Sequence, residues 1–154
     1  MDRSCHFHHW ATRSHWVLQV NFLSWIILGR DGIFHRFFGS GIGGALRHGI
    51  NVAAFRLLGS DFPYGTLTVN VSGSLAMGLL AGWFAHKVAP GQAWRLFLTT
   101  GILGGFTTFS TFSLDAVLLY ERGQWGMAAM YIMASVGLAL AGLVAGLFIM
   151  RHLG

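Results

Sequence analysis

The sequence has little that would hold it in water and little with which an enzyme could work. Only 10% of its 154 residues are charged, where an ordinary globular domain carries roughly 25%. With 54% of its residues hydrophobic, the chain has lipid rather than water as its solvent. The single Cys5 excludes an intrachain disulfide and matches no metal or redox spacing. There is no Ser/His/Asp arrangement, no HExxH and no phosphate loop. Asp115 and Glu121, six apart, fall at different depths of one helix, so the pattern is not that of an enzyme. The formal net charge is +5, but the basic residues stand singly at the ends of apolar runs. They lack the basic patch and interleaved aromatics that nucleic acid requires.

Three stretches, 64–85, 96–114 and 125–150, contain no Asp, Glu, Lys or Arg, and a bilayer is crossed by about 20 apolar residues. Each is expected to be a transmembrane helix. A fourth run, 33–58, carries Arg36, Arg47 and Arg56. Arg36 and Arg56 sit near its ends, where long cationic side chains snorkel. Arg47 is deep, at a cost of roughly 2.5–3.5 kcal/mol on insertion scales, and should face protein or water rather than lipid. The expectation is an all-α membrane domain of four transmembrane helices over 33–154, with a re-entrant or interfacial helix as the alternative for 33–58.

Residues 1–32 read differently. His6, His8, His9 and His15 cluster with Trp10 and Trp16, and the apolar run 16–28 is too short to span. The HFHH tract lacks a second ligand group at a definable spacing, so no metal is assigned to it. The segment reads as an amphipathic extension or as a start placed too far upstream. The connections 59–63, 86–95 and 121–124 are short, and Pro90-Gly91 marks a turn in the second. One side of the membrane would hold Arg36, Lys87, Arg95 and Arg151, and the other Arg56 and Arg122. Lys/Arg bias sets orientation, and one this weak predicts insertion both ways.

The polar residues within the runs carry the chemistry. In the second run, Thr66, Asn70, Ser74, Gly78 and Gly82 recur every four residues, a stripe that lets helices approach closely. Asn70 stands apart, because an amide in mid-membrane needs several partners; it reads as a donor aimed at a polar path. In the last run Tyr131 and Ser135 lie four apart, followed by Ala139, Gly142 and Gly146, which suits either a hydroxyl track or a helix seam. The third run contains GGFTTFSTFS, residues 104–113. Gly101, Gly104 and Gly105, followed by Thr107 and Thr108, weaken a helix, and a break is expected there. Broken backbone at membrane depth is tolerated where it lines a cavity, and its freed carbonyls can coordinate a cation. Beyond it, Phe109 and Phe112 point the same way while Ser110 and Thr111 supply hydroxyls. Aromatic edges are partly positive. Edges, hydroxyls and the Asn70 amide together make a lining that attracts a small anion weakly enough to release it.

Three segments, GGALRH (43–48), GTLTVNVSGS (65–74) and TTGILGGFTTFSTFSLD (99–115), carry a resemblance to the Fluc (CrcB) fluoride channels that extends over about residues 39–150. The resemblance implies four-helix subunits with a broken third helix, paired antiparallel as a dual-topology homodimer in the cell inner membrane. It further implies two fluoride pathways and a sodium ion at the subunit interface, with fluoride leaving the cytoplasm passively. By motif, Asn70 resembles the pore asparagine, and Phe109 and Phe112 resemble the phenylalanines that line the pathways. Ser110 and Thr111 look like hydroxyl ligands beside them, and Gly104 and Thr107 like the residues offering backbone carbonyls to sodium. Arg47 resembles the family arginine, Thr66 the second-helix threonine, and Tyr131 with Ser135 the fourth-helix polar track. Asp115 stands where Glu is common, and Ala139 where some relatives continue that track. Two rivals are weighed against this. A small dual-topology multidrug-type exporter needs an embedded carboxylate, for which Asp115 is the one candidate. A membrane assembly or scaffold protein explains the glycine seams but not Asn70 together with FSTFS.

Overall fold

The computed structural model describes residues 29–86 and 91–153. The chain divides into two compact units, Met1–Phe34 and His35–Gly154. The extension expected over 1–32 therefore lies almost wholly outside the described residues.

Every regular element among the described residues is helical. Helix α1 spans Gly29–Leu58, α2 Tyr64–His86 and α3 Gln92–Leu96; a π-helix then covers Phe97–Leu103, followed by α4 at Gly104–Phe106, α5 at Phe109–Glu121 and α6 at Trp125–Leu153. The stretches Tyr64–Ala85, Gln92–Glu121 and Trp125–Leu153 are long and apolar enough to cross a membrane. They contain the three charge-free runs and extend two of them, because a helix continues through polar residues such as Arg95 and Asp115 where an uncharged run ends. Helix α1 has the length, at 30 residues, but is not among them. Arg36, Arg47 and Arg56, with His35 and His48 next to the first two, dilute its apolar character.

The turns follow local chemistry. After α5, Gly123 adopts φ 74°, its N–H bonds the Tyr120 carbonyl at 3.0 Å, and Gln124 N–H bonds the Leu119 carbonyl at 3.0 Å. This paired closure of a helix end requires a left-handed residue, which glycine adopts at no steric cost. It brings α6 straight back along α5. A buried cluster of Phe62, Phe112, Ala116, Leu119, Ala128 and Tyr131 holds the two together. Tyr131 is fully buried, with the Phe62 ring edge-on at 5.6 Å and the Phe112 ring tilted at 5.4 Å, within the spacing at which aromatic pairs attract.

Helices α2 and α6 meet along a seam of small residues. A Cβ on Gly78 would collide with the Leu143 carbonyl, and one on Gly146 with the Leu75 carbonyl. Lipid offers no hydrophobic drive for helices to associate, so such backbone-to-backbone approach supplies the packing energy. Helix α1 lies against the π-helix, with Gly39 facing Gly101. Much of the remaining exterior is large and apolar: Phe37, Phe55, Met133, Val144 and Phe148 are all exposed, as a membrane-facing surface should be. Because the seam leaves no room at Gly78, Gly78→Leu should destabilise the protein by at least the roughly 1–3 kcal/mol of an overpacked core. Gly137→Ala, where a Cβ meets nothing within 4 Å, should not destabilise it, since alanine is the better helix former. Thermal unfolding of the detergent-purified variants checks this, and an unaltered midpoint for Gly78→Leu would show that the seam is not close-packed.

Candidate functional site

The site is organised around two threonines. At the end of α4 the helix stops: Thr107 (φ −77°, ψ 156°) and Thr108 (φ −150°, ψ 120°) are extended, a conformation that β-branched side chains favour. The chain then re-enters a helix with Thr108 as its N-cap. Its hydroxyl accepts from Thr111 N–H at 3.2 Å and donates to Thr111 Oγ1 at 3.1 Å, and it lies 3.2 Å from Ser110 Oγ. Capping of this kind satisfies amides that a helix start leaves orphaned.

The backbone of Thr108 itself is met by one side chain from α2. Asn70 Oδ1 accepts the Thr108 N–H at 2.8 Å, and Asn70 Nδ2 donates to the Thr108 carbonyl at 3.0 Å. A carboxamide presents donor and acceptor side by side, so Asn70 pairs with the extended residue as a neighbouring strand would. One Asn70 N–H is used, and the other makes no hydrogen bond among the described residues. In an uninterrupted helix the Thr108 N–H would close on the Gly104 carbonyl, and the Thr111 N–H on the Thr107 carbonyl. Both donors are diverted, to Asn70 and to the Thr108 hydroxyl. The carbonyls of Gly104 and Thr107 thereby lose their helical partners. As neutral, hard oxygen donors they suit an alkali or alkaline-earth cation.

A cavity of about 380 Å³ opens beside this break, with Asn70, Thr107, Thr108, Phe109, Phe112 and Ser135 in its walls. Phe109 is 78% exposed and Phe112 buried; their rings stand 5.5 Å apart, tilted by 44°. Ser135 is buried, and its hydroxyl has no hydrogen-bond partner among the described residues. A second cavity, of about 290 Å³, includes Asn51, Asp61, Thr66, Thr111, Asp115 and Arg122 in its lining. The Tyr131 hydroxyl donates to Asp115 Oδ2 at 3.3 Å.

The residues singled out in the sequence therefore separate. Asn70, Thr107, Phe109, Phe112 and Ser135 meet at the first cavity, whereas Thr66 and Thr111 line the second. Ser110 stays exposed at the start of α5, bonded to Thr108, and Gly104 is exposed at the end of the π-helix. Tyr131 is enclosed in the aromatic cluster with its hydroxyl turned to Asp115. Arg47 is half-buried on α1, lines neither cavity, and makes no hydrogen bond or ion pair among the described residues. What the sequence reading missed is Thr108, whose extended backbone is the object that Asn70 holds. The signal was available: two β-branched residues after a glycine pair need an outside partner for their amides, and Asn70 needs partners of its own.

Apolar spanning helices around a polar break define a multi-pass membrane protein. The CrcB-like protein, Camphor Resistance (CrcB) family matches residues 34–147, and the chain belongs to this family. It is 63% identical over 118 residues to the fluoride-specific ion channel FluC of Methylobacterium nodulans, covering 77% of this chain and 94% of that protein. The protein of the same name from Rhodopseudomonas palustris is 61% identical over 115 residues, 75% of this chain and 93% of the relative. That from Granulibacter bethesdensis is 54% identical over 117 residues, 76% and 92% respectively.

Replacing Asn70 by Leu leaves the Thr108 N–H and carbonyl without partners, at about 1–3 kcal/mol for each orphaned group. Asn70→Leu should therefore unfold at markedly lower temperature than the parent protein, while Ser113→Ala, which loses only a bond from its own hydroxyl to the Phe109 carbonyl, should not. Equal unfolding temperatures for Asn70→Leu and the parent would mean that the clamp contributes nothing.

Proposed function

We propose that the chain is the subunit of a fluoride channel, through which the ion leaves the cytoplasm down its electrochemical gradient with no chemical step. The observation that carries this reading is the first cavity. It gathers the free Asn70 N–H, the unpartnered Ser135 hydroxyl and the Phe109 and Phe112 rings at a helix break, in a chain 54–63% identical to proteins named fluoride-specific ion channels. Fluoride is small and strongly hydrated, so a pathway must replace several water hydrogen bonds with donors of its own. Asn70, Ser135 and the ring edges provide them without a lysine that would hold the ion, and Ser110 and Thr111 extend the donor set towards the second cavity. There Thr66 continues the polar route, and Asp115 in the same lining accepts the hydroxyl of the enclosed Tyr131. Arg47, on α1, raises the local potential for an anion.

The working unit in this reading is an antiparallel, dual-topology homodimer in the cell inner membrane, with α1 as the fourth span. The weak four-to-two Lys/Arg bias and the broad exposed apolar exterior support it. The break at Thr107 and Thr108 is then the interruption of the third membrane-spanning helix. Sodium bound to the Gly104 and Thr107 carbonyls would supply positive charge at the subunit interface; the diversion of their helical donors supports these two residues as ligands.

Purified protein in liposomes loaded with fluoride should release the ion to an external fluoride electrode, and chloride-loaded liposomes should hold theirs. Phe109→Ile and Phe112→Ile keep apolar bulk but remove the ring edge. At about 1.5–3 kcal/mol for a lost charge-assisted contact and about 1.4 kcal/mol per tenfold, each should slow release by one to two orders of magnitude. No fluoride release from the unsubstituted protein would overturn the reading. Unchanged release in both isoleucine variants would reduce the rings to packing.

A further inference from the structure

The donors assigned so far leave one hydroxyl of the first cavity without a role. Ser74 lies one helical turn beyond Asn70 on α2 and lines the same cavity as Asn70, Ser135 and Ala139. Serines in apolar helices ordinarily return their hydroxyl to the carbonyl one turn back. Ser72 does so to the Thr68 carbonyl at 2.6 Å, and Ser113 to the Phe109 carbonyl at 2.9 Å. Ser74 does not: half-buried, it makes no hydrogen bond among the described residues. Ser135, 5% exposed in the wall of the same cavity, has a hydroxyl equally without a partner. A buried hydroxyl left unsatisfied costs free energy, and the cost is recovered when an acceptor enters the cavity.

Ala139 indicates what Ser74 is for. Tyr131, Ser135 and Ala139 succeed one another at intervals of four on one face of α6, and the hydroxyls of that face end where Ala139 presents a methyl group to the cavity. The next hydroxyl in the wall comes from α2. We propose that Ser74 is a fluoride ligand: its O–H donates to the ion in the part of the pathway where α6 offers only Ala139, so that the ion passes from a donor on α6 to one on α2. The inference rests on the fluoride reading above. It differs from a seam role for Ser74, since a small residue needed only for close packing is replaced by alanine at little cost.

Fluoride release from liposomes, measured with the electrode, tests it with four proteins: the unsubstituted chain, Ser74→Ala, Ser72→Ala and the double variant Ser74→Ala/Ala139→Ser. Removal of one donor to an anion should slow Ser74→Ala about tenfold, with the detergent-purified protein eluting at its usual size. Ser72→Ala should conduct normally, because that hydroxyl is already committed to Thr68. The double variant, which moves the hydroxyl to the other wall of the cavity, should recover most of the lost rate, a result that no packing defect at position 74 would give. Normal release by Ser74→Ala, or a loss that Ala139→Ser fails to restore, overturns the inference while leaving the fluoride reading intact. No release from the unsubstituted chain overturns both.

Discussion

One side chain holds the polar centre of this protein together: the Asn70 carboxamide, bonded to both backbone groups of Thr108. Glycines at 101, 104 and 105 weaken the helix by about 1 kcal/mol each relative to alanine, which makes a break tolerable but does not hold one open. In a bilayer an unpaired N–H or carbonyl costs several kcal/mol, so a helix interrupted without outside partners would close again. Asn70 removes that cost at Thr108, and the Thr108 hydroxyl removes it at Thr111. The interruption is thus a three-part arrangement of weak helix formers, an N-cap and an amide from a different helix.

The rest of the fold delivers Asn70 to that place. Close approach at Gly78 and Gly146 sets α2 against α6, which puts Asn70 and Ser74 on one wall of the cavity and Ser135 on another. The Schellman turn at Gly123 and the Phe62, Phe112 and Tyr131 cluster set α5 against α6, so that Phe112 is buried while Phe109 stays open beside it. The π-helix meets α1 through Gly101 and Gly39, and its wider turn carries the chain into α4 just ahead of the break. Asn70, Ser74 and Ser135 are thus held on helices around one cavity.

Elements were legible in the sequence where a local signal sufficed. The three charge-free runs correspond to helices suited to a membrane, since the lack of charge over some 20 residues is nearly diagnostic. The weakened helix at Gly104 to Thr108 was visible in its residue types. Contacts between distant residues were not: Asn70 and Thr108 lie 38 positions apart and Tyr131 and Asp115 lie 16 apart, and no periodicity encodes either pair. Tyr131 read as a member of a track, whereas packing encloses its ring and turns its hydroxyl to Asp115. The π-helix escaped notice because FLTTGIL is an unremarkable apolar stretch whose wider turn has no marker in its composition. Ser74 read as part of a small-residue seam, and only its unbonded hydroxyl in the cavity wall separates it from Ser72.

Backbone amide exchange at Thr108 reports directly on the clamp that Asn70 makes. Thr108 is extended and belongs to no helix, so without Asn70 its N–H would exchange as an open loop does. In the purified protein that amide should exchange slowly, at a rate comparable with neighbouring helical amides of α5, and Asn70→Ala should make it fast while amides of the α2–α6 seam around Gly78 stay protected. Fast exchange at Thr108 in the unsubstituted protein would contradict the account.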